Sequence, residues 1–411
     1  MQRHRRFGLS PNPSQDCRIR ALKTMTEKMR KENAAARIQA AGRIVVKVGS
    51  ALLVRKDGII ASSWLASLAA DLAALKARGA DVIVVTSGAI AIGRQRLGLS
   101  GRLRIEEKQA AAAAGQARLI EAWQEAFAPN GLVAAQLLLT LDDTENRRRY
   151  LNARATLGAL LSVGAVPVIN ENDTVATSEI RYGDNDRLSA HAAQMAGADM
   201  LILLSDIDGL YTADPRRDQN ARHVAFVEDV TPEIEAMAGG ANAGAGVGSG
   251  GMATKVAAAK IATGSGCAVV IARGEMDHPV AAILNGAPVT VFAPHSTPDR
   301  ARRSWISGRL KPAGVIAIDA GAENALKKGA SLLPAGVTGV EGDFRRGDAV
   351  SIVSAGGRTL GRGLIAYDAP EARKLVGKRS EEIEQILGYR GPAALIHRDD
   401  LAIDARGKDK D

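Results

Sequence analysis

Ile44-Val45-Val46-Lys47-Val48-Gly49-Ser50 is the stretch on which the reading of this 411-residue chain turns. A β-branched run with no polar alternation reads as a strand buried on both faces. It ends in a lysine, then a glycine and a hydroxyl. The same arrangement recurs downstream. Val82 to Val85 leads into Thr86-Ser87-Gly88-Ala89, Val166 to Ile169 into Asn170-Glu171-Asn172-Asp173, and Met200 to Leu204 into Ser205-Asp206. Helical spacing fills the intervals, at 63–78, 105–127, 145–161, 188–196 and 252–263. Further strands are expected at 132–139, 268–271 and 289–292. Buried strands alternating with amphipathic helices predict an α/β fold, a mainly parallel sheet covered on both sides. Ligands of such sheets bind beyond the carboxyl ends of the strands, where these polar segments fall.

The net charge of +9 suggests a polyanion partner until it is located along the chain. Met1–Ala41 carries ten Lys and Arg against three acids, Gly42–Leu310 carries 28 against 27, and Lys311–Asp411 carries 16 against 15. The excess sits in the first forty residues, which are expected to be a disordered basic extension or to precede a start at Met25 or Met29. There is no apolar run of spanning length and no secretory h-region. Cys17 and Cys267 have no metal-ligand or CxxC context, so a reduced, cytoplasmic setting is expected.

Chemistry is suggested by the inventory rather than by any one motif. Lys47 beside Gly49 reaches the ligand edge where backbone N–H groups can approach phosphate oxygens. Asn170 to Asp173 and Gly183-Asp184-Asn185-Asp186 hold more acids and amides than turns require. Gly246 to Gly251 satisfies GxGxxG, but a Gly/Ala loop precedes it instead of a strand, so the dinucleotide reading fails. What remains is a glycine loop that delivers Lys255 one turn into a helix. The six histidines show no metal spacing, and no GxSxG or Cys/His nucleophile context occurs. Two lysines, hydroxyl-backed glycine turns and an acid/amide cluster suit phosphoryl transfer to a small anion.

From Pro294 to Pro312 three prolines and Arg300, Arg302 and Arg303 break the pattern, and this segment is taken as a junction. Beyond it, strands are expected at 315–318, 350–353, 364–367 and 393–397, with helices near 322–328 and 370–375, as a small β-rich module.

In order and spacing these motifs resemble the glutamate 5-kinases, a family of the amino-acid kinase superfamily, from Arg43 to the end of the chain. The C-terminal part, with Ser331-Leu332-Leu333-Pro334 and His397-Arg398-Asp399-Asp400, resembles a PUA domain. The resemblance implies a three-layer αβα sandwich at 42–293, a linker at 294–312, a PUA-like domain at 313–404 and a charged tail at 405–411, behind the 1–41 extension. It implies catalytic roles for Lys47, Lys255 and Asp186, the last orienting the lysines. Glutamate would be bound by Ser87, Asn172, Asp173, Asp184 and Asn185. ATP would be bound by Lys47, Ser205, Asp206, Ser249, Gly250, Gly251, Met252, Ala253, Thr254 and Lys255, with Mg2+ held mainly through the nucleotide. It further implies glutamyl 5-phosphate as product, feedback by proline, a homodimer or homotetramer, and delivery of product to glutamyl-phosphate reductase. Competing readings are an aspartate, acetylglutamate or UMP kinase, or an RNA-binding protein acting through the PUA-like module. The last is disfavoured because 311–411 has only Phe344, Tyr367 and Tyr389 as aromatics and almost no net charge.

Overall fold

The computed structural model describes residues 33–55, 57–175, 185–239, 251–308 and 311–403. Its centre is an eight-stranded sheet ordered β3-β4-β2-β1-β5-β9-β10-β8. The strands are β1 (Arg43–Val48), β2 (Asp81–Val85), β3 (Ala134–Leu139), β4 (Val166–Glu171), β5 (Met200–Ser205), β8 (Phe226–Val227), β9 (Ala268–Arg273) and β10 (Val289–Phe292). The short β6 (Leu210–Tyr211) and β7 (His223–Val224) pair with each other outside this sheet. Every pairing in the sheet is parallel except β9 with β10.

Strand side chains alternate between faces, so each strand feeds two cores. Ile44, Val46, Val48, Val82 and Val84 enter one core, where they meet α2 (Ser62–Ala77) and α4 (Ile105–Phe127) through Leu65, Leu68, Leu119 and Trp123. Val45, Ile83, Val85, Leu201 and Leu203 enter the other, against α5 (Arg147–Ser162), α6 (Asn185–Ala196) and α7 (Met252–Gly264). The result is helix, sheet and helix in three layers. Strand β1 lies between β2 and β5, so the order of the chain reverses beside it, and the carboxyl ends of β4, β2, β1 and β5 line one crevice.

One packing detail bears on the site. Helix α3 (Ala89–Arg96) starts directly after the Ser87-Gly88 turn and lies backbone to backbone on α4. A Cβ on Gly93 would sit 1.7 Å from the Ala111 carbonyl oxygen, and one on Gly115 1.9 Å from that of Ala89. Only glycine at both positions permits this approach.

The structure departs from the sequence expectations in three places. The segment 1–41 was expected to be a disordered extension, yet its end forms α1 (Asn33–Ala40). Ala34, Ile38 and Ala41 make an apolar stripe on the core, with Ile38 fully buried. That contact contributes about 1.5–3 kcal/mol, enough to hold a short helix that its charged neighbours disguise. The 294–312 linker likewise contains a helix, α8 (Pro298–Gly308), whose Ile306 is buried against Ala349, Leu364 and Ala402. Pro298 opens that helix, where its missing N–H costs nothing.

The C-terminal module is a five-stranded sheet ordered β12-β11-β13-β14-β15. Its strands are β11 (Gly314–Ile318), β12 (Val337–Gly342), β13 (Ala349–Ser354), β14 (Thr359–Leu364) and β15 (Leu401–Ile403). The strands expected at 364–367 and 393–397 do not form; Ile396 makes an isolated bridge to Leu332. The strand Thr359–Leu364 carries Gly361 and Gly363, which read as turn signals. Gly361 is there because a Cβ would come 2.2 Å from the Ala402 carbonyl oxygen of the neighbouring strand. The two parts of the chain are joined by ion pairs at Asp400, which meets Arg154 of α5 at 2.6 Å and Arg302 of α8.

Candidate functional site

Lys47 is near the carboxyl end of β1 and Lys255 lies one turn into α7, two hundred residues later. Both ammonium groups converge on one carboxylate, that of Asp186 in the first turn of α6. Lys47 Nζ is 2.6 Å from Oδ1 and Lys255 Nζ is 3.3 Å from Oδ2. The Lys47 contact lies outside ordinary hydrogen-bond angles and acts as an ion pair, since Oδ1 accepts no hydrogen bond among the described residues. All three side chains are enclosed, at 6%, 5% and 1% exposure for Lys47, Lys255 and Asp186. Thr254 Oγ1 also donates to Asp186 Oδ2 at 2.7 Å.

Burial alone would raise the Asp186 carboxyl, but the charges of Lys47 and Lys255 hold it below its ordinary range. Burial lowers the Lys255 ammonium; Asp186 opposes that fall and Lys47 adds to it. Two cations thus share one anion in an enclosed place. Within the trio positive charge exceeds negative, and Asp206 adds a further pull on Lys255; such a place favours an approaching anion.

On the β2 and β4 side the sequence-predicted residues form a second group. Asn185 Nδ2 donates to Ser87 Oγ at 2.7 Å and to the Thr86 carbonyl at 3.1 Å, with Asn170 Oδ1 at 3.4 Å. Its own Oδ1 is buried and has no hydrogen-bond partner among the described residues. Asp173, two residues past β4, is 8% exposed, and no hydrogen bond or ion pair reaches its carboxylate among the described residues. Burial pushes that carboxyl up to about 6. A lone acceptor oxygen and a lone carboxylate suit a ligand that brings hydrogen-bond donors. Asn172, in the same segment, accepts on Oδ1 from Thr174 at 2.7 Å.

On the β5 side a pocket of about 630 Å³ opens between Ser205, Asp206, Tyr211 and the start of α7, with Gly251, Met252 and Lys255 in its wall. Ser205 Oγ donates to Asp206 Oδ1 at 3.0 Å. Asp206 is also paired with Arg216, an arginine of the same wall, at 2.7 Å. Burial opposes ionisation of Asp206, and the hydrogen bonds from Arg216 and Ser205 prevail, so its carboxyl is lowered. Gly251 caps α7 without a side-chain hydrogen bond, and Ala253 packs toward the core beside it. Tyr211 donates to Asp208, which takes that acid away from the pocket chemistry. Asp184, Ser249 and Gly250 lie outside the described residues.

Sequence reasoning passed over several residues of this region. Asn170 belonged to a quoted motif yet was given no role, and Arg216 had only its place in the Asp214-Pro215-Arg216 run to mark it. Gln116 of α4, which accepts from Asn170 Nδ2 at 2.7 Å, was hidden in an alanine-rich helix. Trp123 of the same helix donates to Thr86 Oγ1 at 3.1 Å.

Residues 42–273 match the model of the amino acid kinase family, and residues 314–387 match the PUA domain. A protein of Rhizobium rhizogenes named glutamate 5-kinase is 59% identical over 369 residues, which covers 90% of this chain and 94% of that protein. Glutamate 5-kinase 1 of Rhizobium meliloti is 59% identical over 364 residues, 88% of this chain and 92% of its own. The glutamate 5-kinase of Paramagnetospirillum magneticum is 58% identical over 368 residues, 89% of this chain and 99% of its own.

Proposed function

The chain belongs to the amino acid kinase family, and we propose that it transfers the γ-phosphoryl group of ATP to the side-chain carboxylate of L-glutamate. The product is L-glutamyl 5-phosphate, and the step opens proline synthesis. The observation that carries this reading is the meeting of Lys47 and Lys255 on Asp186 between the two ligand regions.

The chemistry needs no general base, because a glutamate side chain with pKa near 4.3 is ionised at neutral pH. One carboxylate oxygen attacks the γ-phosphorus in line, the bond to the β–γ bridging oxygen breaks, and ADP leaves. The obstacle is repulsion between two anions, about 4 kcal/mol for unit charges 4 Å apart at an effective dielectric of 20. Lys47 and Lys255 offset it, and Asp186 keeps both side chains aimed at the transferring group. Asp173 and Asn185 Oδ1 hold the α-ammonium of glutamate while Ser87 fixes the substrate's place. Ser205, Asp206 and the Gly251–Lys255 start of α7 hold the nucleotide.

Among the described residues no cluster of three or more His, Cys, Asp or Glu could hold a metal. A Mg2+ ion held on the nucleotide's phosphates would supply further neutralisation of charge on the transferring group. Feedback by proline, assembly as a homodimer or homotetramer, and delivery of the labile acyl phosphate to a reductase are parts of the same proposal. Among the described residues no helix is long and apolar enough to cross a membrane.

The test is trapping of ATP-dependent acyl phosphate with hydroxylamine, with and without proline. L-glutamate is run against aspartate, acetylglutamate and UMP. Hydroxamate formed only from glutamate supports the proposal, and ADP release with one of the other acceptors alone overturns it.

A further inference from the structure

Helix α4 does more than cover the sheet. Its Gly115 lets it lie directly on α3, and the next residue, Gln116, reaches over the end of β4. Gln116 Oε1 accepts from Asn170 Nδ2 at 2.7 Å, 54 residues away in sequence. Seven residues on, and so on the same helical face, Trp123 Nε1 donates to Thr86 Oγ1 at 3.1 Å. One face of one helix therefore grips both Asn170 and Thr86, the two groups that flank Asn185.

An amide side chain can be turned end for end with little change of shape, so its direction is set by its partners. With its nitrogen on Gln116, Asn170 must turn Oδ1 toward Asn185 Nδ2, 3.4 Å away. Asn185 Nδ2 then has three oxygens around it, those of Thr86, Ser87 and Asn170, and Oδ1 is the atom left without a partner. If Asn170 were reversed, two amide nitrogens, both donors, would face each other inside the protein.

We propose that Gln116 is a positioning residue that sets the direction of the Asn170–Asn185 amide chain, so that the site offers an acceptor to the ammonium group of its amino-acid substrate. Gln116 acts through Asn170 and touches no reacting atom. This rests on the glutamate kinase reading and adds to it the device by which a free α-amino group is selected.

Three full-length proteins test it: the parent, Gln116→Met and Gln116→Glu. Methionine keeps the length and removes the acceptor. Ionised glutamate keeps an acceptor and has no donor, so it preserves the direction of the chain. Initial rates are measured against glutamate and against ATP, with thermal unfolding of each protein. The expected result is KM for glutamate raised about tenfold in Gln116→Met, the scale of one net hydrogen bond. KM for ATP stays within twofold, and Gln116→Glu stays near the parent on both. The inference is overturned if Gln116→Met binds glutamate like the parent. It is also overturned if the methionine and glutamate variants suffer alike, or if KM for ATP rises as much as KM for glutamate. A parent that forms no acyl phosphate from glutamate would instead dismiss the function on which the inference stands, so the two failures are told apart by the parent's own rate.

Discussion

Replacing Lys47 with alanine removes one of two ammonium groups from a carboxylate that is 1% exposed. Lys255 remains 3.3 Å from Asp186, so the surviving pair is one to one and the trio's unbalanced positive charge is gone. Asp186 loses its 2.6 Å partner, and Lys255 is drawn toward the carboxylate and away from the phosphates. A unit charge acting on the transferring group from 4 Å is worth about 4 kcal/mol at an effective dielectric of 20. Loss of a single preorganised donor elsewhere costs about 2.7–4 kcal/mol, or 10²–10³ in kcat. The expected fall in kcat is therefore about a hundredfold to a thousandfold. KM for glutamate should move far less, since Asp173, Asn185 and Ser87 are untouched. The assay is hydroxamate formation under saturating ATP and glutamate, checked by ADP release. A kcat within a few-fold of the parent, in protein with an unchanged unfolding temperature, refutes the assignment of Lys47 to the transferring phosphoryl group.

Other outcomes follow from the same geometry. Asp173, with its carboxyl at about 6, is raised above its ordinary value, so it takes up a proton as pH falls through 6 while substrate glutamate stays ionised to about 4.3. KM for glutamate should therefore rise about tenfold per pH unit below 6, and Asp173→Asn should flatten that slope in pH-dependent kinetics. The stability sign is opposite, because the folded chain binds this proton more tightly than the unfolded one; the contribution of Asp173 is most favourable below the ordinary carboxylate value and declines as pH rises to about 6. Asn185→Ala should raise KM for glutamate at nearly constant KM for ATP, and a change in ATP affinity alone would contradict the placement of the substrate. Gly115→Ala forces a Cβ to within 1.9 Å of the Ala89 carbonyl oxygen, so α3 and α4 must separate. Denaturant unfolding should register a loss of about 1–3 kcal/mol or more.

Seven of the eight strands of the central sheet were legible because most are apolar runs that end in polar segments; the two-residue β8 (Phe226–Val227) was not expected. The lysines and Asp186 were legible by position in such a sheet together with family resemblance. Their convergence is a long-range fact that no local window contains. Helix α1 was obscured by the charges around Ile38, and β14 by the glycines its neighbour's backbone demands. Gln116 left only a faint trace, a single amide next to a glycine in an alanine-rich helix. Its partner Asn170 lies 54 residues away on β4, so the pair exists only in the folded chain.

The most direct test of the account is a crystal structure with ADP, an aluminium fluoride mimic of the transferring phosphoryl group, and glutamate. The account predicts Lys47 Nζ and Lys255 Nζ both within about 3 Å of the mimic's fluorine atoms, on either side of Asp186, with the glutamate side-chain carboxylate in line. Either ammonium group turned away to solvent, or a glutamate carboxylate placed off the line of transfer, would contradict it.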